Sequence, residues 1–274
     1  MARTEASSLR IAHVSDIHVG AHDDLMLDGL AQDLADAAVA ATIVTGDLTM
    51  RARTHEFARA KDVIDRFPDP TMVVIGNHDV PLTNPLRRMH SPYEKFRAGV
   101  TPDLDPVLDL GLARVQGLGS MPRWRWKSGR ISDRQADQIR GTFADAPQGS
   151  ARIVALHHPP SSDALESIAG GEDFERALVD AEVDIVLAGH THVPAVATLE
   201  VRCGSRTRSI IEVVAGTATS HRTRGTERSW SLLEITTDTL TVTEHFAHSG
   251  GWRAAEPIAL PLPAGSHRPA QGQG

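Results

Sequence analysis

Short runs of aliphatic and β-branched residues recur along the chain without polar alternation, which predicts strands buried on both faces. Residues 71–80, TMVVIGNHDV, show how each run ends: the apolar residues stop abruptly at glycine and polar residues that do not extend a buried strand. Five runs have this character, at residues 9–14, 41–45, 71–75, 151–156 and 183–188.

Helical spacing of apolar residues predicts helices at residues 25–41 and 54–67, between the first three strands, and a later helix at 132–146. Thr54 and Ser132 are the expected N-caps of the last two. Strand–helix–strand alternation at this spacing favours right-handed βαβ units. It therefore predicts an α/β fold with a largely parallel sheet.

The pattern changes after residue 80. Residues 80–106 form a proline-rich connection, and residues 107–119 predict two short strands joined at a glycine turn. Beyond residue 195, strand-like runs separated by Gly, Ser and Thr-Asp turns predict a second sheet with antiparallel hairpins. These late runs are residues 195–203, 208–215, 229–236 and 240–247.

Length and the absence of a clear linker favour one domain, which we place at residues 9–250. We expect residues 1–8 to be a flexible N-terminus. Residues 251–274 are a C-terminal tail, and its end is rich in proline and glycine, so we expect that end to be disordered.

Composition is that of a globular protein, with 41% apolar and 23% charged residues. A net charge of −7 excludes general attraction to a polyphosphate backbone, so there is no strong nucleic-acid signal. The one cysteine, Cys203, cannot form an internal disulfide. No apolar run approaches the roughly 18 residues of a membrane-spanning helix, and the N-terminus lacks the apolar centre of a signal peptide. We therefore expect a cytoplasmic protein.

Potential metal ligands follow each of the five predicted strands. Since the carboxyl ends of parallel strands share one edge of a sheet, we expect these residues to converge there. Gly46, Gly76 and Gly189 precede three of the clusters, where glycine permits a sharp turn or a close approach of the backbone to a bound ligand. The clusters are Asp16-Ile17-His18, Asp47, Asn77-His78-Asp79, His157-His158 and His190-Thr191-His192.

The residue types in these clusters indicate a hydrolytic metal centre. Imidazole nitrogens suit zinc, iron and manganese, carboxylate and amide oxygens suit manganese and magnesium, and a set without cysteine argues against a structural zinc site. There are more ligands than one ion needs, which favours two ions about 3.5–4 Å apart. Each motif alone is weak, because Asp-x-His arises by chance and Gly-Asp is a common turn. Their recurrence after five strands carries the inference.

The clusters resemble the full motif set of the calcineurin-like metallophosphoesterases, over residues 9 to 247. The segments GDLT, HHPP and AGTATS (residues 215–220) are most similar to the bacterial class III cyclic-nucleotide phosphodiesterase branch. This resemblance implies a four-layer α/β/β/α sandwich with two mixed β-sheets. It also implies two divalent metal ions, manganese or iron foremost, with zinc or magnesium as alternatives.

The resemblance also implies the role of each residue. One ion is expected on Asp16, His18 and His192, the other on Asn77, His157 and His190, with Asp47 bridging both. His158 is expected to lie behind the ligands or to pack beside them.

His78 is the residue expected to face the substrate and to donate a proton to the leaving oxygen, and Asp79 is expected to orient its ring and favour its charged form. The substrate is expected to meet His18, Asp47, Asn77, His78 and His192.

The function implied is hydrolysis of cyclic nucleotides or similar small phosphodiesters, by in-line attack of a hydroxide that bridges the two ions. An alternative is a phospholipid or nucleic-acid phosphoesterase with the same site, because specificity resides in loops that vary between proteins of one fold. A non-catalytic metal-binding module is the third reading, and the complete ligand set argues against it. The oligomeric state stays open, with a dimer among the options.

Two arginine-rich segments have no assigned role. MPRWRWKSGR (residues 121–130) fits an amphipathic surface hairpin, or a contact of Trp124 and Trp126 with a membrane surface, a nucleobase or a partner chain. In HRTRG (residues 221–225), Arg222 or Arg224 either reaches a substrate phosphate or is an ordinary exposed arginine.

Overall fold

The computed structural model of the protein describes residues 8–161, 168–169, 171–265 and 267. The flexible N-terminus expected at residues 1–8 lies outside the described residues except for residue 8, and so does the end of the C-terminal tail. Within the described part of the chain, none of the helices combines the length and apolar character that crossing a bilayer requires.

The described elements alternate between strands and helices in the first half of the chain and are mostly strands in the last third. The helices are α1 (Asp24–Asp36), α2 (Thr54–Ile64), α3 (Pro85–His90), α4 (Glu94–Gly99), α5 (Asp133–Ala144) and α6 (Gly171–Asp180). The strands of the first half are β1 (Leu9–Val14), β2 (Ala41–Val44), β3 (Thr71–Val73), β4 (Val107–Asp109), β5 (Ala113–Leu118) and β6 (Gly129–Arg130). Those of the second half are β7 (Ala151–Leu156), β8 (Ile168–Ala169), β9 (Ile185–Ala188), β10 (Ala195–Cys203), β11 (Arg206–Val214), β12 (Ser229–Ile235), β13 (Thr239–His248), β14 (Gly251–Ala254) and β15 (Ile258–Pro261).

Two mixed sheets form the centre of the molecule. The first has the order β14-β13-β12-β1-β2-β3, with β15 also paired to β13, and its β1, β2 and β3 run parallel. The second has the order β10-β11-β9-β7-β5-β4, and its β5, β7, β9 and β11 run parallel. A short parallel ladder joins β6 to β8.

The apolar residues of the central strands pack on both faces of their sheet, since successive side chains of a strand point in opposite directions. On β7, Ile153 and Ala155 belong to a core shared by both sheets, whereas Val154 and Leu156 pack under α5 and α6. The same division on β1 places Ile11 between the sheets, and Ala12 and Val14 under helices α1 and α2. The predicted α/β/β/α sandwich is therefore confirmed.

The expectation that all five ligand-bearing strands lie in one sheet is wrong. Strands β1, β2 and β3 belong to the first sheet and β7 and β9 to the second. The late strands do not form a separate sheet either, because the β10–β11 hairpin extends the second sheet and the β12–β13 hairpin extends the first. Alternation of residues along one strand reports its burial but not which sheet it joins.

Several local expectations also change. The N-cap of helix α2 is Arg53 rather than Thr54, and the Arg53 backbone N–H donates to Glu56 Oε2 at 3.0 Å, whereas Ser132 caps α5 as expected. The proline-rich connection contains α3 and α4, and residues 121–128 are turns rather than a hairpin. The first part of the expected tail forms β14 and β15, both paired to β13.

Candidate metal centre

The carboxyl ends of the two sheets meet, and direct hydrogen bonds join the loops that follow their strands. Asp16 N donates to Gly46 O at 3.1 Å and His18 N to Asp47 O at 2.9 Å, which ties the loop after β1 to the loop after β2. In the second sheet, Gly189 N donates to His157 O at 3.0 Å. The polar residues after all these strands therefore converge, although they come from two sheets.

One set of side-chain atoms comes from the loops after β1 and β9. His192 Nε2 lies 3.1 Å from Asp16 Oδ1, and His18 Nε2 lies 3.1 Å from His192 Nε2 and 3.4 Å from Asp16 Oδ1. All three residues are buried. Asp16 Oδ1 is buried without a hydrogen-bond donor among the described residues, whereas Asp16 Oδ2 accepts from Ser15 Oγ at 2.7 Å and from His190 N at 2.9 Å.

A second set comes from the loops after β3, β7 and β9. Asn77 Oδ1 lies 3.1 Å from His157 Nε2 and 3.0 Å from His190 Nδ1, and the two histidine nitrogens are 3.3 Å apart. Asp47 belongs to both sets, because its Oδ2 is 3.6 Å from His18 Nε2 and 3.3 Å from His157 Nε2. Its other oxygen, Oδ1, accepts from His78 N at 2.8 Å.

These separations fit metal coordination. Nitrogen and oxygen atoms bound about 2.0–2.2 Å from one ion lie about 3.0–3.6 Å from each other at tetrahedral to octahedral angles. The undonated oxygen of Asp16 and the shared oxygen of Asp47 point at the histidine nitrogens, which is how carboxylates ligate. The side chains that the structure brings together in this way are Asp16, His18, Asp47, Asn77, His157, His190 and His192.

The backbone at the candidate centre is strained. Non-glycine residues rarely adopt positive φ, and holding one there costs of order 1–3 kcal/mol. Such strain persists only where the surrounding contacts impose it, and it concentrates at functional sites. The candidate ligands with positive φ are Asp16 (52°), His18 (52°), Asp47 (52°), His190 (71°) and His192 (62°).

Two glycines let the ligand loops approach each other. A Cβ on Gly76 would lie 2.2 Å from both Asp47 N and Asp47 Oδ1, and a Cβ on Gly189 would lie 1.8 Å from Ser15 Oγ. We expected such glycines to make room for a bound ligand. The structure shows instead that they make room for the neighbouring ligand loop.

Residues 9–194 match the sequence model of the calcineurin-like phosphoesterases, and this span contains all seven candidate ligands. The chain belongs to the calcineurin-like phosphoesterase family. The assignment confirms the predicted class of enzyme, a metallophosphoesterase, in a family that uses divalent metal ions.

Among known proteins, a probable cyclic nucleotide phosphodiesterase of Synechococcus is 26% identical over 205 residues, which is 69% of this chain and 75% of that protein. Two solved structures share the fold with a TM-score of 0.68 each: purple acid phosphatase PPD1 of yellow lupin (Lupinus luteus) seeds, 16% identical, and PhoD, 12% identical. The alignments cover 94% and 93% of this chain. The chain spans about half of the lupin phosphatase (54%) and 70% of PhoD.

In this phosphoesterase, the ring nitrogens that face away from the ligand cluster are held by backbone carbonyls. His157 Nδ1 donates to Thr45 O at 2.7 Å, and His192 Nδ1 donates to Arg222 O. A carbonyl only accepts, so in the neutral rings each of these Nδ1 atoms carries the proton and each Nε2 keeps its lone pair. That is the tautomer needed for metal ligation through Nε2.

The AGTATS segment positions the ligand loop after β1. Thr217 Oγ1 donates to Asp16 O and Thr219 Oγ1 donates to Ile17 O, both at 2.7 Å, and Ala218 N donates to Ser15 O at 3.0 Å. The sequence distinguishes this segment only by its resemblance to the class III phosphodiesterase branch and does not predict this contact. The hydroxyls at alternate positions 217 and 219 are the feature of the sequence that could have indicated this contact. Their hydrogen-bond partners, Asp16 and Ile17, lie 201 and 202 residues earlier in the chain.

The buried carboxylates control the charge of the histidines. Burial lowers the pKa of His157, but the charge of Asp47, a hydrogen bond to it and the charge of Asp16 outweigh burial and raise this pKa to about 9. His192 has its pKa raised in the same way, against burial, chiefly by Asp16. Burial and the charge of His157 instead lower the pKa of His190 to about 4. The carboxylates therefore attract positive charge into the cluster.

His78 does not have the partner that we expected. Its Nδ1 donates to Met50 O at 2.8 Å, and its Nε2 lies 3.2 Å from Arg222 Nη1. Asp79 does not orient this ring, because its carboxylate accepts from Leu48 N, Thr49 N and Gly76 N at 3.2, 2.9 and 3.0 Å.

The charged form of His78 is not favoured either. Burial is the largest effect on its pKa and lowers it; the charges of His18 and Arg222 act in the same direction, and Asp47 acts against them. Asp79 is thus a positioning residue for the turn that carries Asp47, and Arg222 is the charged neighbour of His78.

His158 lies behind the candidate ligands, as expected. Its ring centroid is 4.6 Å from that of His190, and its Nδ1 is 2.8 Å from Ser120 Oγ. A Cβ on Gly129 would lie 2.8 Å from the His158 ring. His158 therefore connects the candidate centre to the tryptophan- and arginine-rich stretch at residues 121–130.

Replacing Gly76 with alanine should weaken both folding and metal binding. The new Cβ lies 2.2 Å from the backbone nitrogen of Asp47, so the turn carrying Asp47 must move. We expect a loss of about 1–3 kcal/mol of unfolding free energy, typical of overpacking, and at least about tenfold weaker Mn²⁺ binding. Chemical denaturation and calorimetry measure the two effects.

The matched control for Gly76→Ala is Gly141→Ala on α5, where no atom lies within 4 Å of an added Cβ. Alanine is preferred to glycine inside a helix by about 1 kcal/mol, so this variant should be neutral or slightly more stable. Equal behaviour of the two variants would contradict the close approach of the two loops.

Metal binding should release protons at neutral pH. His157 has a pKa of about 9, so it is protonated at pH 7 and must lose its proton before it can bind a cation. Mn²⁺ affinity should therefore rise with pH by about tenfold per unit for each proton displaced, and level off above that pKa. Calorimetry in buffers of different ionisation enthalpy counts the protons, and binding without proton release at pH 7 is the contrary result.

Proposed function

We propose that this chain is a dinuclear metal-dependent phosphodiesterase that hydrolyses cyclic nucleotides or similar small phosphodiesters. The observation that carries the proposal is the pair of ligand sets that share Asp47 Oδ2. Asp16, His18 and His192 would hold one divalent ion. Asn77, His157 and His190 would hold the other. The name of the Synechococcus relative, a probable cyclic nucleotide phosphodiesterase, supports the choice of substrate.

When bound, the ions supply Lewis acidity to the phosphoryl group and make water acidic enough to act as a nucleophile near neutral pH. The chain sets the local charge. Asp16 and Asp47 contribute two negative charges, whereas Asn77 is a neutral ligand, so two divalent ions retain an excess of positive charge. An anionic phosphoester is drawn to that excess although the whole chain has a net charge of −7.

Arg222 is the group that we propose meets the phosphoryl oxygens. Its carbonyl accepts from His192 Nδ1 and its guanidinium lies against His78 Nε2, so the residue is held at the edge of the candidate centre by two independent contacts. A guanidinium has five N–H donors, and the contact with His78 leaves several for a substrate oxygen. A fixed cation aimed at developing negative charge lowers the barrier without costly reorganisation.

His78 is placed to serve the leaving oxygen. Its Nδ1–H is fixed by Met50 O, and its ring meets the His18 ring edge-on with centroids 4.8 Å apart. Its Nε2 accepts from Arg222 in the neutral state and donates a proton when the ring is charged. Because the pKa of His78 is below its ordinary value, the charged fraction is small at neutral pH, and the electrostatic contribution of Arg222 is the larger one.

The defining experiment is metal-dependent hydrolysis by the reconstituted protein. Metal-free protein is loaded with manganese, iron, zinc or magnesium and assayed on bis(p-nitrophenyl) phosphate, cyclic mononucleotides, phospholipid head-group diesters and single-stranded DNA. We expect turnover of small diesters with two ions bound per chain. Asp47→Ala should lose both occupancy and turnover, since this residue belongs to both ligand sets. A fully loaded protein that cleaves none of these esters would falsify the proposal, and preferential cleavage of lipid or DNA would redirect the substrate assignment.

Replacing Arg222 separates electrostatic from proton-transfer effects. Arg222→Gln should lower kcat/KM by roughly 10²–10³, as loss of one oxyanion donor does, and to the same degree for nitrophenyl and alkyl leaving groups. His78→Ala should instead cost more with alkyl leaving groups, which need a proton. Metal content should be unchanged in both variants.

Arg224→Gln is the control for Arg222→Gln, because Arg224 is an exposed arginine in the same segment. We expect Arg224→Gln to retain full activity. An Arg222→Gln enzyme as active as Arg224→Gln would remove Arg222 from the mechanism.

A further inference from the structure

The described surface carries one cluster of exposed large apolar side chains, formed by α3 and residues 121–128. We call it the Trp/Arg face. Leu86 and Met89 on α3 are 75% and 46% exposed, and Trp124 and Trp126 are 59% and 48% exposed. These are four of the eight large apolar side chains that the described residues leave exposed. Clusters of this kind mark interaction sites, whereas single exposed apolar residues do not.

A buried arginine builds this face. Arg88 is 1% exposed, and its guanidinium donates to Arg123 O at 2.9 Å, to Pro81 O at 3.1 Å and to Arg125 O. The same guanidinium lies 4.5 Å from the centroid of the Trp126 ring. Arg123 Nη1 donates back to Met89 O at 3.2 Å, so α3 and residues 121–126 form one supported surface.

The charge of the Trp/Arg face is opposite to that of the protein. Its two segments contain no acidic residue, while the chain as a whole has a net charge of −7. Of the acidic residues beside it, Glu94 pairs with Arg87 at 3.0 Å and the largely buried Asp105 pairs with Arg134 at 2.7 Å. Arg88 is buried and Arg87 is paired, so the basic residues that the face presents to a partner are Arg123, Arg125 and Lys127. An anionic partner is the electrostatic complement.

We propose that the Trp/Arg face docks the protein onto a lipid bilayer that contains anionic head groups. Tryptophan favours the head-group level, basic residues near an anionic leaflet each add attraction, and aliphatic side chains insert below them. A second copy fits less well, because a two-fold interface would place this basic face against itself. Nucleic acid also fits less well, because bases stack on aromatic and guanidinium planes and offer nothing to Leu86 and Met89.

Docking on this face brings the candidate centre to the membrane surface. Arg88 donates to Pro81 O, two residues beyond Asp79, and Ser120, the residue directly before the second segment of the face, contacts His158. Binding does not depend on the proposed reaction, so it is tested by binding alone. Hydrolysis of a small soluble diester serves only to establish that each variant is folded.

The test is flotation of the full-length protein with vesicles of phosphatidylcholine alone and of equal parts phosphatidylcholine and phosphatidylglycerol. We expect binding to the mixed vesicles, reversed by high salt, and a blue shift of tryptophan emission. Trp124→Ser and Leu86→Ser should each lower the partition coefficient by roughly tenfold, the effect of losing the burial of one large apolar side chain. Ile258→Ser on β15, a residue 50% exposed on the first sheet, is the matched control and should bind like the wild type.

Three results would overturn the proposal. The first is wild-type protein that does not float with the mixed vesicles. The second is a Trp124→Ser variant that floats as well as Ile258→Ser. The third is binding of a single-stranded oligonucleotide, or a dimer in sedimentation, that Trp124→Ser abolishes while vesicle binding is absent. If the protein hydrolyses diesters but does not bind vesicles, the docking proposal fails and the proposed phosphodiesterase function is unaffected. If it binds vesicles but does not hydrolyse diesters, the proposed function fails and the docking proposal is unaffected.

Discussion

Two carboxylates, Asp16 and Asp47, are buried at the junction of the two sheets, and the surrounding structure is arranged to compensate their charge. Each uses one oxygen to accept hydrogen bonds from the protein and directs the other at histidine nitrogens. Uncompensated charges in such a place are costly, so the ligand shell must collect cations or protons. Without metal, a proton on His157 compensates part of this negative charge, as the raised pKa of His157 shows. The divalent ions that the family uses would compensate it with more positive charge.

The four-layer fold is what brings the carboxylates together. Apolar residues of both sheets pack into one core between them, which holds the carboxyl ends of β1, β2, β7 and β9 side by side. Backbone hydrogen bonds join the ligand loops, and the hydroxyls of Thr217 and Thr219 hold the loop after β1. At residues 76 and 189 the loops approach so closely that any side chain larger than that of glycine would clash. Five candidate ligands hold left-handed backbone conformations in this frame. The packing of the core stabilises these strained conformations, which the local sequence alone would not favour.

Arginines connect the centre to its surroundings in two directions. The Arg222 carbonyl accepts a hydrogen bond from His192, and the Arg222 guanidinium lies against His78. The same residue therefore orients a candidate ligand and places a positive charge at the edge of the candidate centre. Arg88 is buried and satisfies three carbonyls, so its charge organises a basic, tryptophan-bearing face next to the loop that follows Asp79. The net charge of −7 therefore describes this part of the protein poorly, since Arg222 places a positive charge at the edge of the candidate centre.

The sequence by itself predicted the five strands that precede the candidate ligands, three of the six described helices (α1, α2 and α5) and the set of residues that converge. Apolar runs with polar residues at their ends encode burial and termination locally, so β1, β7 and the ligand clusters after them were predictable from neighbouring residues. Tertiary structure decided the rest. Which sheet each strand joins, the partner of Asp79, and the approach of Arg222 to His78 depend on contacts between distant segments. Thr49 and Asp79 are 30 residues apart, and Arg222 and His78 are 144 apart. Local periodicity carries no information about such pairings, because they arise only when two sheets pack and their loops meet.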